Sequence, residues 1–459
     1  MAATTMEKNS ITEGVIWKQL LFFFFPILIG SFFQQLYNTV DTIVVGQCNG
    51  DAALAAVGTT GPVLNLLVGF FVGLSSGATV VISLHYGAKN AENVSKAVHT
   101  AIALAIAGGV LLMVLGFVTA RPLLHLIKVP DGELFDGAMT YLTVFYIGII
   151  PMLIYNMGTG ILRAVGDSKT PLYVLIACCI INILLDLLFV AVFQWGVFGV
   201  AFATALAQFI SAILIMIKLM RTQESYRVEI RKVRFDRSIL GRVIYIGIPS
   251  GMQSVMYSVS GMIVQTCING FDQDAMAAWT AIGRVDGFVW MVLGAFGIAI
   301  TTFVGQNFGA QKYDRVRKSV RVCLGITMGT TIVLAALLLA FMTPILHVFS
   351  STDAVVELGT HMLWVLCPNY FFFVFIEVLS GAIRGAGEAI QPMLITCVGV
   401  CVLRILWALF VIPAFPTITT VALTFPATSV VTCTIYIVYY LRMKWLKRCI
   451  VRNGQEVPA

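Results

Sequence analysis

Six ionisable side chains fall inside long apolar runs of this chain: Asp41, Asp186, Asp286, Glu377, Arg284 and Arg404. A charged group inside lipid is costly unless paired or hydrated, so each marks a candidate functional position. The N-terminal half holds the richer set. Gln34, Asn38 and Asp41 stand at i, i+4 and i+7, one face of a helix, and Asn182 and Asp186 stand at i and i+4, again one face. Thr204 lies near the middle of a further apolar run. Two carboxylates, an amide oxygen and a hydroxyl make an oxygen-rich set suited to a small hard cation. The same set suits a proton, because two like charges held together favour keeping one proton between them. The plainer reading is that Asp186 hydrogen-bonds a neighbouring helix, as polar residues in membrane bundles do.

The C-terminal half reads differently. Glu377 lies beside Tyr370 and Phe373, while Asp286 and Arg284 lie near Trp279 and Trp290. A carboxylate among aromatic rings suits an apolar cation through charge attraction and cation–π contact. Glu377, Asp286, Arg284 and Tyr370 are therefore the candidate substrate-cavity residues, with simple packing as the alternative for the rings. The ten cysteines are scattered through apolar runs, and neither Cys178–Cys179 nor Cys397 with Cys401 has the partners of a zinc site. No zincin, nucleophile-elbow or diphosphate motif points to an enzyme, and no cofactor is implied.

These residues need elements to hold them. Of 459 residues 59% are hydrophobic and 11% charged, whereas soluble domains run near ~45–50% and ~25%. With a mean hydropathy of +0.93, a soluble enzyme with a polar coat is excluded. The 40 glycines show no collagen period. Crossing the bilayer takes roughly 20 apolar residues as helix, and a barrel would show short alternating strands instead. The runs predict twelve transmembrane helices near 17–46, 53–83, 94–120, 136–159, 169–192, 196–219, 241–269, 275–305, 318–343, 356–380, 390–412 and 418–442. The first is not a cleaved signal, since its apolar run continues into Gln34, Gln35, Asn38 and Asp41. The expected fold is an all-α polytopic membrane protein.

Lysine and arginine cluster in alternate connectors: Lys89 and Lys96, Arg163 and Lys169, eight between 218 and 242, Lys312 to Arg321, Arg384, and Arg442 to Arg452. The opposite connectors hold only Arg121 and Lys128, with acids at Asp51, Asp131, Glu133, Asp272, Asp274 and Asp353. This bias predicts a multi-pass protein of the cell membrane with both termini cytoplasmic. It also explains the net charge of +7 without nucleic acid. The expected organisation is a cytoplasmic N-terminus (1–15), a first lobe (16–219), a basic linker on a solvated connector (220–240), a second lobe (241–442) and a basic cytoplasmic tail (443–459).

The halves repeat at an offset of about 222 residues. Tyr86-Gly87-Ala88 matches Phe308-Gly309-Ala310, and Gly160-x-x-Arg163-x-x-Gly166 with Pro171 matches Gly381-x-x-Arg384-x-x-Gly387 with Pro392. Pro26 matches Pro249, but Asp41 is answered by Val264, so the carboxylate is not duplicated. Two six-helix halves enter the membrane in the same direction, a pattern common in transporters that rock about a central path. Gly166 and Gly387 suit turns. Arg163 and Arg384 then stand at the cytoplasmic mouth, either holding helix carbonyls as an inner gate or merely marking topology.

With Pro26, the Gln34–Asp41 run, the two glycine-alanine loops and the twin Gly-x-x-Arg-x-x-Gly segments, the chain resembles the MATE (multidrug and toxic compound extrusion) family over residues 15–445. The resemblance implies two pseudo-symmetric six-helix lobes and antiport of small organic, cationic drugs against Na+ or H+. In the most similar branch it implies a cation site at Asp41, Asn182, Asp186 and Thr204, the positions expected to hold Na+. The seventh helix carries Gln253 and Gln265 and no acid, which speaks against a cation site in the second lobe. A monomer in the lipid bilayer is expected. The rival reading is a flippase or exporter of a lipid-linked or amphipathic compound.

Overall fold

In lipid no water satisfies a free N–H or C=O, so an apolar run closes its backbone bonds within itself. The computed structural model, which describes residues 11–126, 129–350 and 352–452 and leaves aside the side chains at 48–56, 59, 62, 63, 65, 66, 126 and 444, shows this result. The order is α1 (Ile16–Gly87), α2 (Ala91–Leu126), α3 (Glu133–Ala164), α4 (Lys169–Asp186), α5 (Gly196–Arg221), α6 (Arg237–Ile268), α7 (Gln273–Gly309), α8 (Tyr313–Phe349) and α9 (Asp353–Gly385). Then α10 (Ile390–Thr396), α11 (Leu403–Leu406) and α12 (Ile412–Ala414) form one stretch joined by π-helical turns, followed by α13 (Ile418–Leu441) and α14 (Lys444–Arg452). Among the described residues there is no strand.

Eleven helical stretches among the described residues are long and apolar enough to span a membrane. The twelfth expected helix is α6, 32 residues long. Its apolar character is diluted by Ser250, Gln253, Ser254, Ser258, Ser260 and Gln265. One boundary differs from expectation. A break was expected between 46 and 53, yet helical bonding runs through it, and α1 carries two spans, Ile16–Gln47 and Leu67–Gly87. Residues 46–53 include no proline, so no N–H is missing from the ladder at the expected break. Asp51 and Lys128, two of the outer-face residues, lie outside the described side chains.

The chain forms two compact units, one of residues 22–247 and one of 11–21 with 248–452. In the first, α3 packs against both α2 and α5; in the second, α9 packs against α7, α8 and α13. The helices at equivalent repeat positions thus play the same central part. The repeat extends to single residues. A Cβ on Gly160 would stand 2.6 Å from Thr79 Oγ1, and one on Gly381 would stand 3.0 Å from Thr301 Oγ1 and 2.9 Å from the Gly297 carbonyl. Thr79 and Thr301 are themselves repeat partners, so each half uses a glycine to bring two helices together. Gly166 and Gly387 take φ of 98° and 93°, the left-handed turn the spacing called for.

Two connectors are more ordered than expected. The linker is pinned to α2: the Glu229 N–H donates to His99 Nε2 at 3.0 Å, and the Asp236 N–H donates to Thr100 Oγ1 at 3.1 Å. His99 Nδ1 lies 2.7 Å from the Ser95 carbonyl, which makes Nδ1 the donor and leaves Nε2 as acceptor. The basic tail is not featureless either, since α14 buries Trp445, Leu446, Cys449 and Ile450. Residues 453–459 lie outside the described residues.

Candidate functional site

Helix α1 brings Asp41, α4 brings Asn182 and Asp186, and α5 brings Thr204, all within the first unit. A valine cluster fixes the approach. Val44, Val45, Val190 and Val200 are buried together, with Val40 and Val57 against them. Val200 stands one turn before Thr204, so this apolar contact holds α1 against α5 at the depth of Asp41. Asp186 is the last residue of α4, and a π-helical turn, Leu187–Val192, follows at once. Such turns widen a helix and recur at functional positions.

The carboxyl groups of Asp41 and Asp186 are neighbours, each acting electrostatically on the other. Thr204 Oγ1 donates to the Val200 carbonyl at 3.0 Å and approaches Asp41 Oδ2 at 3.4 Å. One hydroxyl hydrogen serves both, and the oxygen lone pairs stay open. Asp186 and Asn182 are 0% and 1% exposed. Asp41 Oδ1, both carboxylate oxygens of Asp186 and both polar atoms of the Asn182 amide are buried without a hydrogen-bond partner in the protein. Buried polar groups left unbonded are costly, and two adjacent carboxylates more so. The donor set therefore fits a small hard cation or a shared proton. Among the described residues no cluster of three or more His, Cys, Asp or Glu that could hold a metal ion is present.

Not every expected partner joins. Gln34 and Asn38 share the Asp41 face of α1 but are exposed, because the valine contact covers α1 only from Val40 onward. Sequence reasoning missed Tyr37, Gln208 and Tyr141. These line, with Thr204, a cavity of about 50 Å³, room for roughly three waters. Tyr37 lies four residues before Asp41 and Gln208 four after Thr204, so the helical spacing already applied to Asn182 and Asp186 would have found both. Tyr141 comes from α3 and carried no local signal.

The second unit holds a separate polar group. Asp286 Oδ2 accepts from Trp290 Nε1 at 2.6 Å, Tyr370 lies beside it, and the Trp290 ring meets Phe373 edge-on at 4.3 Å. Glu377 packs against Gly297, where any Cβ would collide with its carboxylate. Arg284 is exposed and does not join Asp286. Two residues along a helix turn about 200°, which puts the pair on opposite sides. The buried arginine is Arg404, 4% exposed, with Nε and Nη1 each 3.4 Å from the hydroxyls of Thr428 and Ser260 and its plane 4.3 Å from the Phe425 ring centre. Val264, the repeat counterpart of Asp41, is buried in an apolar cluster.

Arg163 and Arg384 end α3 and α9. The carbonyls near these ends are taken by backbone: Gly166 N–H donates to Arg163 O at 3.0 Å and Gly387 N–H to Arg384 O at 2.8 Å. The Nε atoms of both arginines are buried without a hydrogen-bond partner. Arg163 acts electrostatically on Tyr155, and Arg384 on Glu377 and Tyr436.

Repeated six-helix architecture with one under-bonded carboxylate pair buried in lipid-spanning helices defines a bilobed membrane transporter. The chain belongs to the MatE family, whose profile matches residues 26–188 and again 249–410, one match in each half. It is similar to the probable multidrug resistance protein YoeA of Bacillus subtilis, with 28% identity over 388 residues, 83% of this chain and 84% of that protein. It is 24% identical to the probable multidrug resistance protein NorM of Thermotoga maritima over 455 residues, 97% of this chain and 96% of that one. The solved outward-facing conformation of a multidrug resistance MATE family transporter has the same fold, with a TM-score of 0.90 at 21% identity over 97% of this chain and 99% of that chain.

Proposed function

We propose that this protein is a secondary antiporter that exports organic cations in exchange for Na+ or H+. The observation that carries the reading is the Asp41–Asp186 pair: two neighbouring buried carboxylates, with Asn182 one turn from Asp186, Thr204 at 3.4 Å from Asp41, and most of their oxygens unbonded. Such a group is costly empty and stable when a cation or proton sits between the carboxylates. Asp41 Oδ1, Asp186 Oδ1 and Oδ2, Asn182 Oδ1 and Thr204 Oγ1 supply five oxygens, a set that fits Na+ as coupling ion. Binding removes the repulsion between α1 and α4, so the loaded and empty protein prefer different packings of α1. Coupling follows when ion and drug bind the two access states with different affinity.

The substrate class rests on the relatives' names and on Asp286 and Glu377 with their aromatic neighbours Trp290, Phe373 and Tyr370. The basic connectors put both termini on the cytoplasmic side, with lobes over 16–219 and 241–442 and a single chain as the working unit. The test is dye extrusion from proteoliposomes under separately imposed Na+ and pH gradients. Asp41→Asn should fold, elute as the parent does and extrude at the leak rate under either gradient. Gradient-driven extrusion at the parent rate by this variant rejects the mechanism.

A further inference from the structure

A second feature lies far along the chain from the carboxylate pair. At the α7–α8 turn a cavity of about 600 Å³ opens against α14. Among the described residues four cations line it, Lys312, Arg315, Arg317 and Lys447, against a single acid, Asp314, which stands 3.9 Å from Arg317. Two of the cations hold residues 11–14 and Gln19. Lys312 Nζ donates to Thr12 O at 2.9 Å, and Arg315 donates to Gly14 O and Glu13 O at 2.9 Å each, to Ile11 O at 3.2 Å and to Gln19 Oε1 at 2.9 Å. Carbonyls satisfy N–H groups but carry no charge, so among the described residues these bonds leave the cations unneutralised. Glu13 attracts Arg315, yet no ion pair joins them among the described residues.

The floor of the cavity is apolar, from Leu446 and Ile450 of α14. This helix is anchored by Trp445, which stacks on Tyr440 at 5.4 Å and donates to the Tyr440 carbonyl at 3.2 Å. Lys447, Arg448 and Arg452 stand on its exposed side. An apolar floor under a rim of cations, on the face carrying the basic connectors, matches an amphiphile with an anionic head.

We propose that this cavity binds the phosphate of an anionic phospholipid, and that its occupancy sets how firmly residues 11–14 are held at the start of α1, the helix that carries Asp41. An anion there neutralises the cations that clamp the segment and completes the site. The lipid must then come from the leaflet facing the basic connectors. A soluble phosphate shares the chemistry and differs in lacking the acyl chains that hold a lipid headgroup at the membrane surface.

The test uses the purified full chain in uncharged detergent, with phosphatidylglycerol, phosphatidylcholine or inorganic phosphate added. Phosphatidylglycerol should raise the melting temperature and slow tryptic cleavage after Lys18; phosphatidylcholine should do neither. The double variant Arg317→Gln, Lys447→Gln leaves the contacts to residues 11–14 in place and should weaken the response to phosphatidylglycerol by roughly tenfold or more. Arg317→Lys with Lys447→Arg should keep it. Should the double glutamine variant fail to fold, Lys447→Gln alone, on an exposed position, should show a partial loss. An equal response to inorganic phosphate overturns the lipid source, and no response, or one unaltered by the glutamine variants, overturns the site. Melting and proteolysis read binding without transport, so failure of the antiport reading leaves this result intact.

Discussion

At the scale of single residues, the pair Asp41 and Asp186 combines proximity, burial and missing bonds, and each property has a consequence that can be measured. If Na+ sits on these oxygens, it should raise the melting temperature of the parent protein and not of Asp186→Asn, by mass action on the folded state. An equal Na+ response in both would place the ion elsewhere. The asparagine variant should not be less stable than the parent without Na+, because it removes a buried charge and its repulsion while keeping the shape. Glycines give a second residue-scale test. Gly160→Val and Gly381→Val each push a side chain into a hydroxyl and backbone of the neighbouring helix and should cost about 1–3 kcal/mol in thermal melts. Gly241→Ala, with nothing within 4 Å of its Cβ, should instead gain up to about 1 kcal/mol. Equal effects at all three would mean that the close approach at 160 and 381 is not what those glycines serve.

At the scale of elements, the linker between the repeats is a strap and not a free tether. Its hold on α2 runs through His99 and Thr100, so His99→Ala leaves the Glu229 N–H without an acceptor, worth about 1–2 kcal/mol. Trypsin should then cut after Arg227 and Arg231 roughly tenfold faster; unchanged cleavage would show that the bond does not restrain the linker. Where the linker enters α6, the Ile239 and Ser238 N–H groups hold the Asp236 carboxyl below the usual aspartate range. A depressed value in the folded state means stabilisation that is present above the ordinary aspartate pKa and lost as pH falls through the lowered one. Protection of the linker should therefore fade in strong acid, and Asp236→Asn should remove that dependence. The π-helical turns at Leu187–Val192 and Trp407–Val411 stand about one repeat apart, one beside Asp186 and one beside Arg404. The apolar periodicity of both segments gave no sign of them, because a π turn leaves composition unchanged.

At the scale of the whole molecule, the twofold match to the MatE profile and the repeated turns at Lys89 and Gln311, with φ of 54° and 58°, express one duplicated plan. The units have diverged in chemistry: the first holds the carboxylate pair, the second holds Asp286, Glu377 and the buried Arg404. The orientation proposed from the basic connectors has a direct check. Ser225→Cys, in the linker, should react with an impermeant maleimide from the cytoplasmic side only, the described native cysteines being buried or half-buried. Labelling from outside intact cells would invert the topology.

The sequence by itself determined the class of the protein, its membrane-length helices and the repeat, and it singled out Asp41, Asn182, Asp186 and Thr204 as a candidate set, since hydropathy, helical spacing and a charged group inside an apolar run are all local signals. It also marked Gly166 and Gly387 as turns. Only the tertiary structure decided which side chains meet. Gln34 and Asn38 share the face of Asp41 yet stay exposed, Arg404 is buried while Arg284 is exposed, and Tyr141 lines the cavity beside Thr204 from a helix with no signal of its own. It likewise decided that residues 11–14 dock on Lys312 and Arg315, some 300 residues away in sequence. Periodicity fixes the face of a helix, but what that face touches depends on the depth and neighbours at which packing stops, and no single segment encodes these.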